Sequence, residues 1–295
     1  MRHTSPLRYP GGKALLSEFL TDVIDINDLR DCVYFEPYAG GAGAAVTLLV
    51  EGVVSEIYLN DADIRVYAFW RAVLNHSEQF VNRIAEAPLT IQEWRKQKEI
   101  CANPWKHHMF DVGFAAFYMN RCNRSGVLTG SGPIGGYEQK GSWRMDVRFS
   151  RETLTERILR LSKYRQRIHV CKSDAIDFLK QTLPKGRARR RVFVYLDPPY
   201  VNKGQRLYMN SYDTDDHKSL AKYLHAQRAL SWIMSYDDTA LVRKLYQKHK
   251  IALLPTRYTL QAKRSVHELI IAPDLVAIPH ACRIGRRETT LQKLL

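Results

Sequence analysis

The stretch Cys32 to Gly52, CVYFEPYAGGAGAAVTLLVEG, decides the fold. Its β-branched and aromatic start, Cys32 to Glu36, reads as a strand. A loop from Pro37 to Gly43 follows, and then a helix of small and apolar residues ended by Gly52. Strand, glycine loop and helix together form a nucleotide-binding arrangement. The glycines let backbone and ligand approach, and Ala44 and Ala45 let the helix pack closely. The spacing is not GxGxxG, so the pyrophosphate-binding fingerprint is missing. A second predicted strand, Glu56 to Asn60, runs into Asp61, near the position about 20 residues downstream where an acid meets ribose hydroxyls. Loop and acid together suggest an adenosine-bearing ligand without pyrophosphate, with S-adenosylmethionine as the leading candidate.

The other decisive stretch is VFVYLDPPY, Val192 to Tyr200. Its apolar run predicts a buried strand of an α/β sheet, which places Asp197 at the carboxyl end, where open α/β sheets bind ligands. Pro198 and Pro199 fix two φ angles and carry no N–H, so the backbone there offers carbonyls without competing donors. That suits a site accepting hydrogen bonds from an amine, and Tyr200 adds a flat face on which a base can stack.

The 295 residues carry 45 Lys and Arg against 30 Asp and Glu, a formal charge of +15. A chain this basic is expected to meet a polyanion. Lys and Arg concentrate in Arg157 to Lys172 and again in Lys185 to Arg191, where Arg187 and Arg189 are candidate phosphate contacts. The five cysteines are scattered without a CxxC or Cys/His cluster, which argues for reduced thiols in a cytosolic setting and against a metal. No apolar run is long enough to span a membrane, and the start MRHTSPLRYPGGK lacks the apolar core of a secretory signal.

Near the amino terminus, PLRYPGGK is a Pro/Gly turn ending in Lys13, before a helical pattern. Such a turn can place N–H groups and Lys13 around an anion. A single helical pattern is expected from Ile64 to about Ala87. Residues 88–149 differ in texture. They begin with two helical patterns, IQEWRKQKEI and FDVGFAAFYMNR, and end in a long Gly-rich loop, SGVLTGSGPIGGYEQKGSWR. A loop of this length is usually functional. We read the segment as an inserted recognition region with Asn120, Arg121, Asn123 and Arg124 as candidate base or phosphate contacts. Alternating α/β texture then resumes, with Asp174 at another strand end, either receiving an adenine amino group or capping a helix. The segment after Tyr200 suits a mobile flap, the last two strands fit a terminal hairpin, and the basic tail after Pro279 is expected to be partly disordered.

In this order the motifs resemble those of the Dam-type DNA adenine-N6 methyltransferases, of the alpha group. PLRYPGGK resembles the family's amino-terminal cofactor motif, FEPYAGGAG its glycine motif, LNDAD its ribose-binding acid and LDPPY its catalytic motif, and the likeness covers most of the chain. The resemblance implies a Rossmann-like class I methyltransferase sheet with helices on both faces and an inserted, mostly helical DNA-recognition region. Residues 1–87 and 150–280 would form the catalytic domain, 88–149 the insertion and 281–295 a basic tail. It implies S-adenosylmethionine contacts at Tyr9, Lys13, Glu36, Pro37, Gly40, Gly43, Asp61, Asp174 and Asp197. The target base would meet Asp197, Pro198 and Tyr200. The implied reaction is direct methyl transfer to N6 of an adenine flipped out of double-stranded DNA, in the cytoplasm of a bacterial or phage-infected cell. The resemblance leaves room for a restriction endonuclease partner. Ser125 stands where GATC-reading members carry Asn, so GATC is not implied as the target. N4-cytosine methylation, RNA adenine methylation and a non-catalytic DNA-binding regulator are the alternatives.

Overall fold

The structure, a computed structural model, describes residues 5–8, 13–201, 212–256, 266–284 and 287–294. Expectations for Tyr9, for the Lys13 side chain and for the segment after Val201 lie outside the described residues. Ten strands are described: β1 (Cys32–Glu36), β2 (Val54–Asn60), β3 (Ile168–Cys171), β4 (Val192–Leu196), β5 (Ser231–Asp237), β6 (Lys250–Thr256), β7 (Val266–Ala272), β8 (Ala281–Ile284), β9 (Arg287–Thr290) and β10 (Gln292–Leu294). The main sheet has the order β10-β6-β7-β5-β4-β1-β2-β3. Strands β3, β2, β1, β4 and β5 run parallel, and β7, β6 and β10 add antiparallel pairings at one side.

This is a Rossmann-like, doubly wound arrangement. Its consequence is local: the chain moves outward from β1 to β3 and then returns to place β4 on the other side of β1. The carboxyl ends of β1 and β4 therefore flank the point where the strand order reverses, the crevice in which such sheets bind ligands.

Strand β4, VFVYL, is buried along its whole length because both faces of the sheet are covered. Phe193 and Tyr195 join a core on one face; Val192, Val194 and Leu196 join a core on the other. The first face carries α1 (Ser17–Ile26), α2 (Gly43–Val50), α3 (Ile64–Asn75), α4 (Ser77–Glu86), α5 (Ile91–Ala102), α6 (Met109–Cys122) and α7 (Arg151–Ser162). The second carries α8 (Ala175–Thr182), α9 (Thr214–His225) and α10 (Ala240–Leu245). Phe69, Phe80, Phe114 and Phe117 join α3, α4 and α6 in one aromatic cluster, so the 88–149 segment shares the first core rather than standing apart from it.

Two expectations are corrected. The pattern from Ile64 to Ala87 forms two helices, broken at His76, whose φ of −137° leaves the helical region. The tail after Pro279, where it is described, forms strands. Strands β8 and β9 pair antiparallel, and β10 adds to the edge of β6, with Cys282 and Leu291 buried as the apolar anchors.

Candidate active site

The site forms where the loops after β1, β2 and β4 meet. After β1, the chain turns through Gly40 (φ +46°) and Ala42 (φ +44°) into α2. A Cβ on Gly43 would lie 2.8 Å from the Cβ of Ala14, so only glycine lets the 13–16 turn lie against the start of α2. Three polar side chains fix the loop. The Asp61 carboxylate accepts the N–H of Gly40 at 2.9 Å and that of Asp63 at 2.9 Å. The Trp70 indole donates to the Gly40 carbonyl at 3.0 Å. Asn60, fully buried, donates to the carbonyls of Pro37 and Ser173 at 3.0 Å each and accepts the Ser173 N–H at 3.0 Å, tying the ends of β1, β2 and β3 together.

Glu36, the last residue of β1, is buried, and its Oε2 has no partner among the described residues. Burial, and then the charge of Asp197, pushes its carboxyl up to about 8. Burial likewise pushes Asp61 up to about 7. An acidic well with an unmatched oxygen is thus built at the strand-order reversal. It fits a cationic ligand.

Asp197 directly follows β4 and is held from the neighbouring strand. Ser235 of β5 donates to its Oδ1 at 3.0 Å, and the buried Tyr195 hydroxyl lies 2.8 Å from Ser235 Oγ. Strand alternation explains this grouping, because Tyr195 and Asp197 are two residues apart and Ser235 follows directly on the partner strand. The next residues are clamped too. Asp237, also on β5, accepts the Val201 N–H at 3.1 Å, and the Tyr200 hydroxyl donates to Glu268 on β7. Asp237 and Glu268 sit opposite each other in the β5–β7 pairing, so one rung of the sheet anchors both ends of the Tyr200–Val201 step. Asn60 lies within LNDAD, Ser235 and Asp237 within SYDDT and Glu268 within RSVHELII, but none of the four is singled out there as a site residue; strand register assembles them around Asp197.

Asp174 is exposed and caps α8, accepting the N–H groups of Ile176 at 2.8 Å and Asp177 at 3.1 Å. Its charge is felt at Tyr212, whose hydroxyl meets that of Tyr38 at 2.8 Å beside the glycine loop.

The candidate DNA contacts divide. Asn120, Arg121 and Asn123 are buried, which corrects the expectation that they face a base or a phosphate directly. The Asn120 amide accepts the Arg8 N–H at 2.7 Å and donates to the carbonyls of Arg8 and Gly126, the latter at 2.9 Å. Arg121 donates to the Pro6 carbonyl. Asn123 accepts the Trp94 indole N–H at 2.7 Å and donates to Val127 at 2.7 Å. Buried amides must be satisfied, and here the chain itself satisfies them. Gly126 (φ +75°) completes the packing: a Cβ there would lie 2.6 Å from the Arg8 carbonyl oxygen. Arg124 is exposed at the surface of this loop.

Arg187 and Arg189 lie in the turn Gly186–Arg191 that enters β4 at its amino end. The five residues of β4 separate that turn from Asp197 by about 15 Å. Arg189 is bound to the Gln227 side chain. The structure therefore does not bring these two arginines to the edge that carries Asp197.

Among the described residues no group of three or more His, Cys, Asp or Glu side chains could hold a metal ion, and no helix is long and apolar enough to cross a membrane.

A family model for the D12 class of N6 adenine-specific DNA methyltransferases matches residues 9–103 and 116–260. No curated protein matches the chain. Among solved structures, a conserved hypothetical protein from Streptococcus pyogenes is similar at 12% identity over 82% of this chain and 86% of its own, with a TM-score of 0.32.

Proposed function

Because the chain belongs to the D12 class of N6 adenine-specific DNA methyltransferases, we propose that S-adenosylmethionine is its methyl donor and that Asp197 and Pro198 hold the target amine. One observation carries this reading: the Asp197 strand end and the Glu36 strand end adjoin at the reversal of strand order, close enough for Asp197 to raise the Glu36 carboxyl.

The well around Glu36 supports a donor that carries positive charge. Its unmatched oxygen can accept from an ammonium group, and Asp61, just after β2, would meet the ribose hydroxyls. S-adenosylmethionine supplies an electrophilic methyl group on a sulfonium. Tyr9, Lys13, Pro37, Gly40, Gly43 and Asp174 complete the proposed donor contacts.

On the acceptor side, the exocyclic nitrogen of adenine is a poor nucleophile because its lone pair is delocalised into the ring. If the Asp197 carboxylate and the Pro198 carbonyl each accept one of its N–H bonds, the nitrogen is held with its electron density directed at the methyl group. Positioning is then the main contribution, on the order of several kcal/mol. The Ser235 bond to Asp197 fixes the carboxylate in advance, and the Glu268 bond to the Tyr200 hydroxyl fixes the ring against which the base stacks. Extruding the base costs roughly a few kcal/mol, which stacking on Tyr200 partly offsets.

Residues 88–149 are proposed as the target-recognition region, with exposed Arg124 among its DNA contacts. The reading places the protein with DNA in the cytoplasm and leaves room for a restriction endonuclease partner with the same recognition sequence. Equilibrium binding of S-adenosylmethionine, together with transfer of its labelled methyl group to duplex DNA, tests the proposal. Saturable binding and label on the DNA are expected. Transfer to structured RNA but not to duplex DNA would overturn it.

A further inference from the structure

Four arginines far apart in the sequence, Arg8, Arg121, Arg148 and Arg157, converge where the amino-terminal segment crosses the end of α6. Arg121 is 5% exposed, it donates to the Pro6 carbonyl, and its Nε is buried without a partner among the described residues. Arg157, on α7, donates to the Ser5 carbonyl at 3.2 Å. Arg8 and Arg148 are exposed. Among the described residues, no carboxylate lies within 4.0 Å of any of the four.

Their charges act on one another. Burial, and then the charges of Arg157, Arg8 and Arg148, lowers Arg121 to about 9, and Arg8 is lowered by burial and then by Arg148. A buried guanidinium with an unmatched donor and three like-charged neighbours is unfavourable by itself. Elsewhere the chain pairs such a group: Arg65 is 4% exposed and bonded to Asp63. Here the described residues supply no acid within ion-pair distance. The geometry is set, because Asn120 grips the Arg8 backbone from both directions and Ser5 donates to the Gly41 carbonyl of the glycine loop. The cluster therefore sits between the glycine loop and the 120–149 segment, on the side of the sheet edge that carries Asp197.

We propose that this cluster binds a backbone phosphate of the DNA substrate, with Arg8 and Arg148 contacting its oxygens and Arg121 and Arg157 lying behind them. Guanidinium forks match phosphate oxygens in pairs, and such a contact sets the position of the duplex without reading its sequence. The proposal rests on the DNA methyltransferase assignment and adds the anchor point that this assignment lacks.

The test substitutes only the two exposed arginines, so folding is not at stake. Duplex affinity is measured by fluorescence anisotropy across a range of salt for the wild type and for the double variant Arg8→Gln/Arg148→Gln, with S-adenosylmethionine binding measured on the same samples. The expected result is about a tenfold loss of duplex affinity, equal for unrelated sequences. The slope of log affinity against log salt should be shallower by about 0.9, the value for one phosphate, and donor binding unchanged. Unchanged affinity and slope would overturn the proposal. A loss confined to one sequence would also overturn it, as base reading, and so would a parallel loss of donor binding, which would assign the cluster to the donor's carboxylate. A wild type without salt-dependent duplex binding would instead count against the DNA assignment itself.

Discussion

The two halves of the site are built by different means. On the glycine-loop side, the side chains of Asp61, Asn60 and Trp70 bond to main-chain groups, and Glu36 is enclosed with one oxygen unmatched among the described residues. On the Asp197 side, side chains from β5 and β7 do it, through Ser235, Asp237 and Glu268. A main-chain cradle tolerates only small changes in shape, which suits recognition of one invariant donor. A side-chain clamp can be removed one bond at a time. Substitutions on the second side should therefore separate chemistry from binding, while those on the first should change binding and its pH dependence.

The largest expected effect is at Asp197. Asp197→Ala removes one of the two acceptors of the target amine and should lower kcat by about 1,000-fold or more, with donor affinity within about threefold of wild type. Single-turnover methyl transfer and calorimetric donor binding check this together; equal losses in both would erase the distinction between the halves.

Ser235→Ala leaves the carboxylate in place but loosens it, and kcat should fall about tenfold with KM for DNA little changed. Ser235→Thr, which keeps the hydroxyl, should restore most of the rate. A general loss of stability would lower activity without rescue by the hydroxyl.

At Glu36 the expected signature is in pH. Because its carboxyl is raised to about 8 from an ordinary 4.5, the folded chain keeps a proton that the unfolded chain has released over that range. The stability it contributes is complete below about pH 4.5 and is lost as pH rises towards 8. Glu36→Gln cannot lose a proton, so without donor its Tm should fall less than that of wild type between about pH 5 and 8, by a few degrees. Parallel Tm curves would show that Glu36 is not the buried acid described here.

The smallest effect is expected at the opposite edge of the sheet. Arg187→Gln should change duplex affinity by less than about twofold, since the turn it occupies faces away from Asp197. A large loss there would place DNA on both edges and undo the contrast with the Arg8 and Arg148 cluster.

Strand β4 was legible because a strand buried on both faces must be a continuous apolar run, and VFVYL can be little else. The glycine loop and Asp61 were legible because local chain geometry demands those residue types. The polar residues of the insertion misled for a physical reason: Asn120, Arg121 and Asn123 are the types that contact nucleic acid, yet they are also the types that satisfy buried backbone, and only packing tells the two apart. The basic run before β4 misled similarly, because contiguity in sequence says nothing about which edge of the sheet a turn occupies. The role of Ser235 was not legible, although it stands in SYDDT, because its partner lies 38 residues away and the pairing depends on strand register.

Identification of the methylated nucleoside is the most direct test of the central claim. Duplex DNA treated with wild type and with Asp197→Ala in the presence of S-adenosylmethionine is digested and analysed by mass spectrometry. The account predicts N6-methyladenine from wild type alone; N4-methylcytosine as the product, or N6-methyladenine at undiminished yield from the variant, would contradict it.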